Sequence, residues 1–226
     1  MRSTILNMSP GLNKRRVLGV LAGRDMPVEQ VVAWARSADY VLAADGAANF
    51  LAEGDFIPDV AIGDFDSISR NTKDVQKVLV HIEDQNRSDC DKLLDYAQSL
   101  GFETITLCAM EGDAIDHIIG SLQSAARSTL EVRVATRRGV IMLLKGAVSA
   151  SLDVPTKTRV SLLPISNCSG VELTGVEWSL FGTEMSPIGF TSLSNRSVEN
   201  VSVSIDSGVA ALFLSHPNLE LPHWPS

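Results

Sequence analysis

From Val17 to about Ala135, short runs of aliphatic and β-branched residues alternate with segments of helical period, and few folds accommodate that pattern. The runs Val17 to Leu21, Tyr40 to Ala43, Val60 to Ile62, Val78 to His81, Thr104 to Leu107 and Val132 to Ala135 read as strands. Between them lie amphipathic stretches, among them Val28 to Ala35, Ala47 to Glu53 and Asp89 to Leu100, the last stopped by Gly101. The expectation is a mostly parallel sheet covered by helices. Beyond Arg138 the texture changes. Val140 to Leu144, Ala147 to Leu152, Arg159 to Leu163, Gly170 to Leu173, Val201 to Ile205 and Val209 to Leu214 are short strand-like runs separated by Gly, Pro, Ser and Asn. No long helix is expected there, and the spacing suggests a small antiparallel β-sandwich or barrel. The fold class is therefore α/β followed by all-β, with domains expected at residues 1–138 and 139–226. The tail from Pro217 to Ser226, with its three prolines, is expected to wrap over the surface with Trp224 as its anchor.

Charge and cysteine usage narrow the partners. The formal net charge is −8, the wrong sign for holding nucleic acid by phosphate neutralisation, although a nucleotide accompanied by Mg²⁺ remains compatible. Cys90, Cys108 and Cys168 are odd in number and lack metal-ligand spacing, which fits a reducing cytoplasm. The longest apolar stretches, Val17 to Ala22 and Val140 to Leu144, are far too short to span a membrane. The start through Asn7, Ser9 and Asn13 lacks the apolar region of a signal peptide. Lys14-Arg15-Arg16 immediately precedes a strand and reads as a solvated approach to it.

Asp64 and Asp66, in Ile62-Gly63-Asp64-Phe65-Asp66-Ser67-Ile68, follow an apolar run directly, placing two carboxylates where a buried strand surfaces. Asp89 and Asp91 in Ser88-Asp89-Cys90-Asp91-Lys92, and Asp116 in Ile115-Asp116-His117, recur at similar junctions. In open α/β sheets ligands bind beyond the carboxyl ends of strands, so these loops can converge on one acidic pocket. Aspartates without His or Cys suit a hard cation such as Mg²⁺ and suit zinc poorly. Each piece also has a plainer explanation. Asp-x-Asp is common in turns, Ser88-Asp89 makes a helix cap, and Asp116 suits a helix start. Asp45-Gly46-Ala47-Ala48-Asn49 is a small-residue turn that could approach a nucleotide closely or simply join strand to helix, and it is not a P-loop.

Taken in order, Ala44-Asp45-Gly46-Ala47-Ala48-Asn49, Pro58-Asp59 leading into Ile62 through Ile68, Asp84-Gln85-Asn86-Arg87-Ser88-Asp89, Gly112 through His117, Gly175-Val176-Glu177-Trp178 and Ser194-Asn195 resemble the thiamine pyrophosphokinase family. The resemblance runs from about Val17 to Leu214. It implies a catalytic α/β domain, a thiamine-binding β domain, ATP as co-substrate, and a homodimer with thiamine sites between subunits. It further implies that Asp64, Asp66, Asp89 and Asp116 form the catalytic Mg²⁺ and phosphate site, with Gln85 and Ser88 as polar phosphate neighbours and Asp45 facing the nucleotide. Trp178 is similar to the family's thiamine-stacking tryptophan, and Ser194 and Asn195 to its adjacent polar pair.

The chain also departs from the family pattern. Gly112-Asp113-Ala114 stands where the family usually carries Gly-Gly-Arg, so a phosphate-facing cation must come from Arg87, Lys92 or Arg24, and Lys92 is taken as an ATP contact. Ser88 replaces a threonine, Ala22-Gly23 a diglycine, and Asn86 a frequent acid. The expected reaction is attack of thiamine's hydroxyl on the β-phosphorus of ATP, with AMP leaving. Three alternatives stay open on the residues alone: a diphosphokinase for another hydroxymethyl heterocycle such as a pterin, a haloacid-dehalogenase-type phosphohydrolase using Asp64-Phe65-Asp66, and a non-catalytic sensor of thiamine or nucleotide. The second is disfavoured because two strands precede the motif, whereas that chemistry places it on the first.

Overall fold

The computed structural model describes residues 4–5 and 15–217, so the expected wrapping of the tail and its Trp224 anchor lie outside the described residues. The chain divides into two compact units, one taking residues 15–137 and the other residues 4–5 and 138–217. The two-residue strand β1 (Thr4–Ile5) belongs to the second.

The first unit runs β2 (Val17–Val20), α1 (Val28–Ser37), β3 (Tyr40–Ala44), α2 (Asp45–Glu53), β4 (Val60–Gly63), α3 (Arg70–Val75), β5 (Leu79–His81), α4 (Asp89–Ser99), β6 (Thr104–Cys108), α5 (Ile115–Arg127) and β7 (Glu131–Thr136). All six strands are parallel, in the order β7-β6-β2-β3-β4-β5. Parallel strands covered on both faces must be apolar throughout, and every residue of β2 and β4 is buried. Helices cover the sheet with narrow apolar stripes. In α4 the buried Cys90, Leu93, Leu94 and Ala97 repeat at helical spacing, and a capping box between Ser88 and Asp91 closes its first turn. The short α3, absent from the sequence expectations, is capped by Ser69. The chain builds outward from β2 through β5, then crosses back to β6 on the other side of β2, which makes β2 the switch point beyond whose carboxyl end open α/β sheets bind their ligands. Register levels those ends: Val20 lies opposite both Ala43 and Cys108, Ala44 opposite Ile62, and Gly63 opposite His81.

The second unit contains β8 (Gly139–Lys145), β9 (Val148–Leu152), β10 (Arg159–Pro164), β11 (Cys168–Val176), β12 (Leu180–Met185), β13 (Ser192–Ile205) and β14 (Val209–Ser215). β13 is shared by two antiparallel sheets. Its first half pairs with β10, which pairs with β14 and then β8; its second half lies between β9 and β11, with β12 beyond β11 and β1 parallel to β9. Alternating side chains from these strands, including Met142, Leu162, Val171, Leu173, Val203 and Leu212, form one apolar core. The expectations missed β12 and the first half of β13. Their inward positions are interrupted by exposed Phe181, Gly182, Leu193 and Ser194, which broke the alternation that marks a half-buried strand.

All three cysteines are buried and free, and burial pushes the Cys90 thiol up to about 12. No helix among the described residues is long and apolar enough to cross a membrane.

Candidate active site

The carboxyl ends of β3 and β4 bring three acids together. Asp45 opens α2, and Asp64 and Asp66 lie on the turn after β4; one oxygen from each falls within 4.8 Å of the others. Asp45 is 1 % exposed. Its Oδ2 accepts from the Ser67 backbone N–H at 3.2 Å, while its Oδ1 has no hydrogen-bond partner among the described residues. Burial raises the Asp45 pKa, the charges of Asp89, Asp66 and Asp64 push it further, and only the Ser67 N–H opposes them. A buried carboxylate oxygen without a donor is costly, and positive charge supplied from outside the chain relieves it.

Gly63 is required by this packing, because a Cβ there would stand 2.6 Å from the Cβ of Asp45. Two residues on, Phe65 sits at φ 64°, a left-handed conformation costing a branched or bulky residue of order 1–3 kcal/mol. That kink folds Asp64 and Asp66 toward one another: the Asp66 N–H donates to Asp64 Oδ1 at 3.4 Å, and Ser67 Oγ donates to Asp66 Oδ1 at 2.8 Å. Asn49 of α2 holds the far end of the loop, donating to Ser67 O at 2.7 Å and accepting from the Ser69 N–H at 2.9 Å.

Of the residues expected from sequence, Gln85 reaches the cluster, donating to Asp64 Oδ2 at 2.8 Å. This bond, the Asp66 N–H and the charge of Lys92 hold the Asp64 carboxyl below its ordinary range. Lys92 is 3 % exposed and pairs with Asp89 at 3.3 Å. Arg24 turns instead to Glu53 at 2.8 Å and lies over Phe50, and Arg87 pairs with Asp95. Among the three cations considered, Lys92 is therefore the one whose charge bears on the carboxylates. Ser88 serves as the α4 cap. Asp89 lies outside the three-oxygen group, though its charge reaches Asp45; Asp116 is exposed in the first turn of α5 and also stands outside the group. Neighbouring Asp113 accepts from the Ala114 N–H at 2.7 Å and pairs with His117 at 3.2 Å, closing the start of α5.

Sequence reasoning gave Asp45 to the nucleotide-facing turn and did not place it among the carboxylates; it assigned Asn49 and Phe65 no role. Asp45 was findable from its position after a fully apolar strand, level with the Gly63-Asp64 strand end. Asn49 carries no local signal, because its partners are 18 and 20 residues away.

The second unit presents a different surface. Trp178 is 63 % exposed, but its backbone is clamped: its N–H donates to Asn195 Oδ1 at 3.1 Å, and its carbonyl accepts from Asn195 Nδ2 at 2.7 Å. Asn195 is buried and also accepts from the Arg196 N–H. Gly175, at φ 75°, forms the bulge that shifts the β11–β13 register and brings Glu177 N–H to Arg196 O at 2.9 Å. A Cβ at Gly175 would collide with Asn200 O. Ser194 adopts φ 58°, with its N–H donating to Ser161 Oγ at 3.0 Å. Trp178, Ser194 and Asn195 thus occupy one corner of the β unit.

These features define a class: a doubly wound α/β enzyme with a carboxylate-lined crevice, followed in the chain by an antiparallel β unit. Residues 32–135 match the family described as Thiamin pyrophosphokinase, catalytic domain, and residues 149–210 match Thiamin pyrophosphokinase, vitamin B1 binding domain. The chain is 28 % identical to thiamine pyrophosphokinase 2 of Arabidopsis thaliana over 222 residues, covering 83 % of this chain and 81 % of the relative. It is 25 % identical to thiamin pyrophosphokinase 1 of Caenorhabditis elegans, with the same coverage of each chain. The crystal structure of thiamine pyrophosphokinase from Bacillus subtilis shares its fold, with a TM-score of 0.74 at 19 % identity, covering 89 % of this chain and 100 % of that one. The chain belongs to the thiamine pyrophosphokinase family.

Proposed function

We propose that this protein transfers a diphosphate from ATP to the hydroxyl of thiamine, giving thiamine diphosphate and AMP, with Mg²⁺ as the required ion. The observation that carries the reading is the buried Oδ1 of Asp45, without a partner among the described residues, beside the oxygens of Asp64 and Asp66. Three hard oxygen donors without nitrogen or sulfur fit Mg²⁺, which favours carboxylates and retains positions for water and phosphate. Asp45, Asp64 and Asp66 would hold the ion, and Asp89 and Asp116 are proposed as further carboxylates of the same acidic site. When bound, Mg²⁺ supplies charge neutralisation for the phosphate oxygens of the substrate and the leaving group.

The chain's own groups do the remainder. Gln85 fixes one oxygen of Asp64, and Lys92 provides a buried cation for the phosphates in place of the arginine absent at Ala114. The thiamine hydroxyl oxygen bonds to the β-phosphorus as the bond from that phosphorus to the α,β-bridging oxygen breaks, and AMP carries the bridging oxygen away. The hydroxyl proton passes to Asp66, the exposed member of the cluster. Trp178 stacks on the cationic, aromatic substrate, with Asn195 holding its backbone and Ser194 beside it.

We further propose a homodimer with thiamine sites between subunits. Exposed Phe181, Ile188, Phe190, Leu193 and Val198 on and between β12 and β13 support an apolar contact on this unit. Residues 1–138 and 139–226 are proposed as the catalytic and thiamine-binding domains, and the buried free cysteines fit a cytoplasmic location. Incubating the purified protein with thiamine, ATP and Mg²⁺ tests the activity. Thiamine diphosphate and AMP are expected in equal amounts, and their absence overturns the reading.

A further inference from the structure

Phe65 stands between the two loop carboxylates in the chain, and its ring is engaged by residues outside their cluster. It stacks on His81, the last residue of β5, with centroids 5.5 Å apart and planes 19° apart, and the Lys73 ammonium of α3 lies 5.0 Å from its centroid. Two elements outside the acidic cluster therefore hold the ring of Phe65, whose backbone is left-handed at φ 64°. Strained backbone persists only where its surroundings over-determine it. Asn49 and the Ser67 hydroxyl hold the far end of the loop with short bonds, but the two bonds that join Asp66 and Ser67 to the other carboxylates are long: Asp66 N–H to Asp64 Oδ1 is 3.4 Å, and Ser67 N–H to Asp45 Oδ2 is 3.2 Å.

We propose that His81 and Lys73 are positioning residues that clamp the Phe65 ring, and that this clamp sets the convergence of Asp64 and Asp66 on Asp45. The inference rests on the assignment of these carboxylates to the transfer site. Its logic is geometric. His81 lies opposite Gly63 in the β4–β5 register, so a ring anchored on His81 fixes the chain within two residues of the strand end. Releasing the ring frees Phe65 to relax toward ordinary φ, which swings Asp66 and Ser67 away from Asp45. Lys73 adds a cation–π contact that tolerates the partly exposed setting.

The test uses the full-length, metal-free protein, with hydrogen exchange over the segment from Gly63 to Ser69 as its primary readout. In His81→Ala, exchange at the Ser67 amide is expected to quicken about threefold to tenfold, the factor an aromatic pair supplies. His81→Phe, which keeps the stack, is expected to stay within about twofold of the parent, and Phe65→Gly, which relieves strain but removes the ring, to behave like His81→Ala. Mn²⁺ affinity read by electron paramagnetic resonance should fall by a similar factor in His81→Ala while the thiamine KM stays unchanged. Unaltered exchange in His81→Ala, or exchange in His81→Phe as fast as in His81→Ala, overturns the clamp. Failure of the parent protein to form thiamine diphosphate overturns the activity instead, and leaves the exchange result to decide the clamp.

Discussion

The two corners proposed to carry the chemistry are built on opposite principles. The acidic turn after β4 is a strained loop around a buried carboxylate oxygen that no donor among the described residues satisfies. The Trp178 corner pairs the Trp178 backbone N–H and carbonyl with the buried Asn195 amide and leaves the indole in solvent. Charge is expensive to bury, so the first site is held by several elements at once: α2 through Asn49, β5 through His81, and the segment before α4 through Gln85. An aromatic platform needs only a rigid backbone beneath it, and one buried asparagine with a glycine bulge provides that. The first site should respond to substitution in turnover, and the second in binding.

The largest effect tests the first half of that contrast. Asp64→Asn keeps the shape and a hydrogen-bonding partner for Gln85 but removes the charge. It is expected to lower kcat at least about 100- to 1000-fold, comparable to removing a principal electrostatic stabiliser, with a folded protein by circular dichroism. Near-normal turnover would remove the carboxylate cluster from the reaction. Asn195→Ala comes next. It strips partners from the Trp178 N–H and carbonyl and from the Arg196 N–H, so it should cost about 1–3 kcal/mol of stability in denaturant unfolding and raise the thiamine KM. Trp178→Ala, by contrast, touches an exposed side chain. Its stability should change by less than about 0.5 kcal/mol, while the thiamine KM rises about twofold to thirtyfold and the ATP KM stays put. Equal effects on both substrates would make Trp178 a packing residue and dissolve the distinction.

The two corners were not equally legible in the amino-acid sequence. Strands β2 to β7 were readable because each is a short apolar run bounded by turns, and Asp64 and Asp66 stood out at the end of one of them. Trp178 stood out only through the family resemblance, since β11 to β13 depart from strict alternation where their side chains face solvent. Asn195 was paired with Ser194 as an adjacent polar residue, and nothing local marked it as the buried clamp of a residue 17 positions earlier. Asp45 reads from sequence as marking a strand-to-helix turn, and its place beside Asp64 and Asp66 depends on the β3–β4 register, which no local pattern encodes. The Phe65 ring and His81 meet through the β4–β5 register, which no local pattern encodes.

The smallest predicted effect separates the two carboxylate behaviours inside the acidic cluster. Asp45 has a folded pKa above its unfolded value near 3.8, so the folded state binds the proton more tightly. Through this group, the stability of the metal-free protein must fall as pH rises from about 3.8 through the raised folded pKa, and stay penalised above it. Asp64 works the other way: its depressed pKa gives stability that is present above its unfolded value and lost as pH falls through the folded one. Asp45→Asn abolishes only the first contribution. In EDTA, thermal unfolding of that variant should show a higher Tm than the parent near neutral pH, and the gap should close as pH approaches 4. Mg²⁺ should raise the parent's Tm near neutral pH and leave Asp45→Asn little changed, because the ion supplies the charge that the buried oxygen lacks. A Tm gap that widens toward acid would mean that Asp45 is stabilised as the anion by the protein itself, and the crevice would then need no ion to be complete.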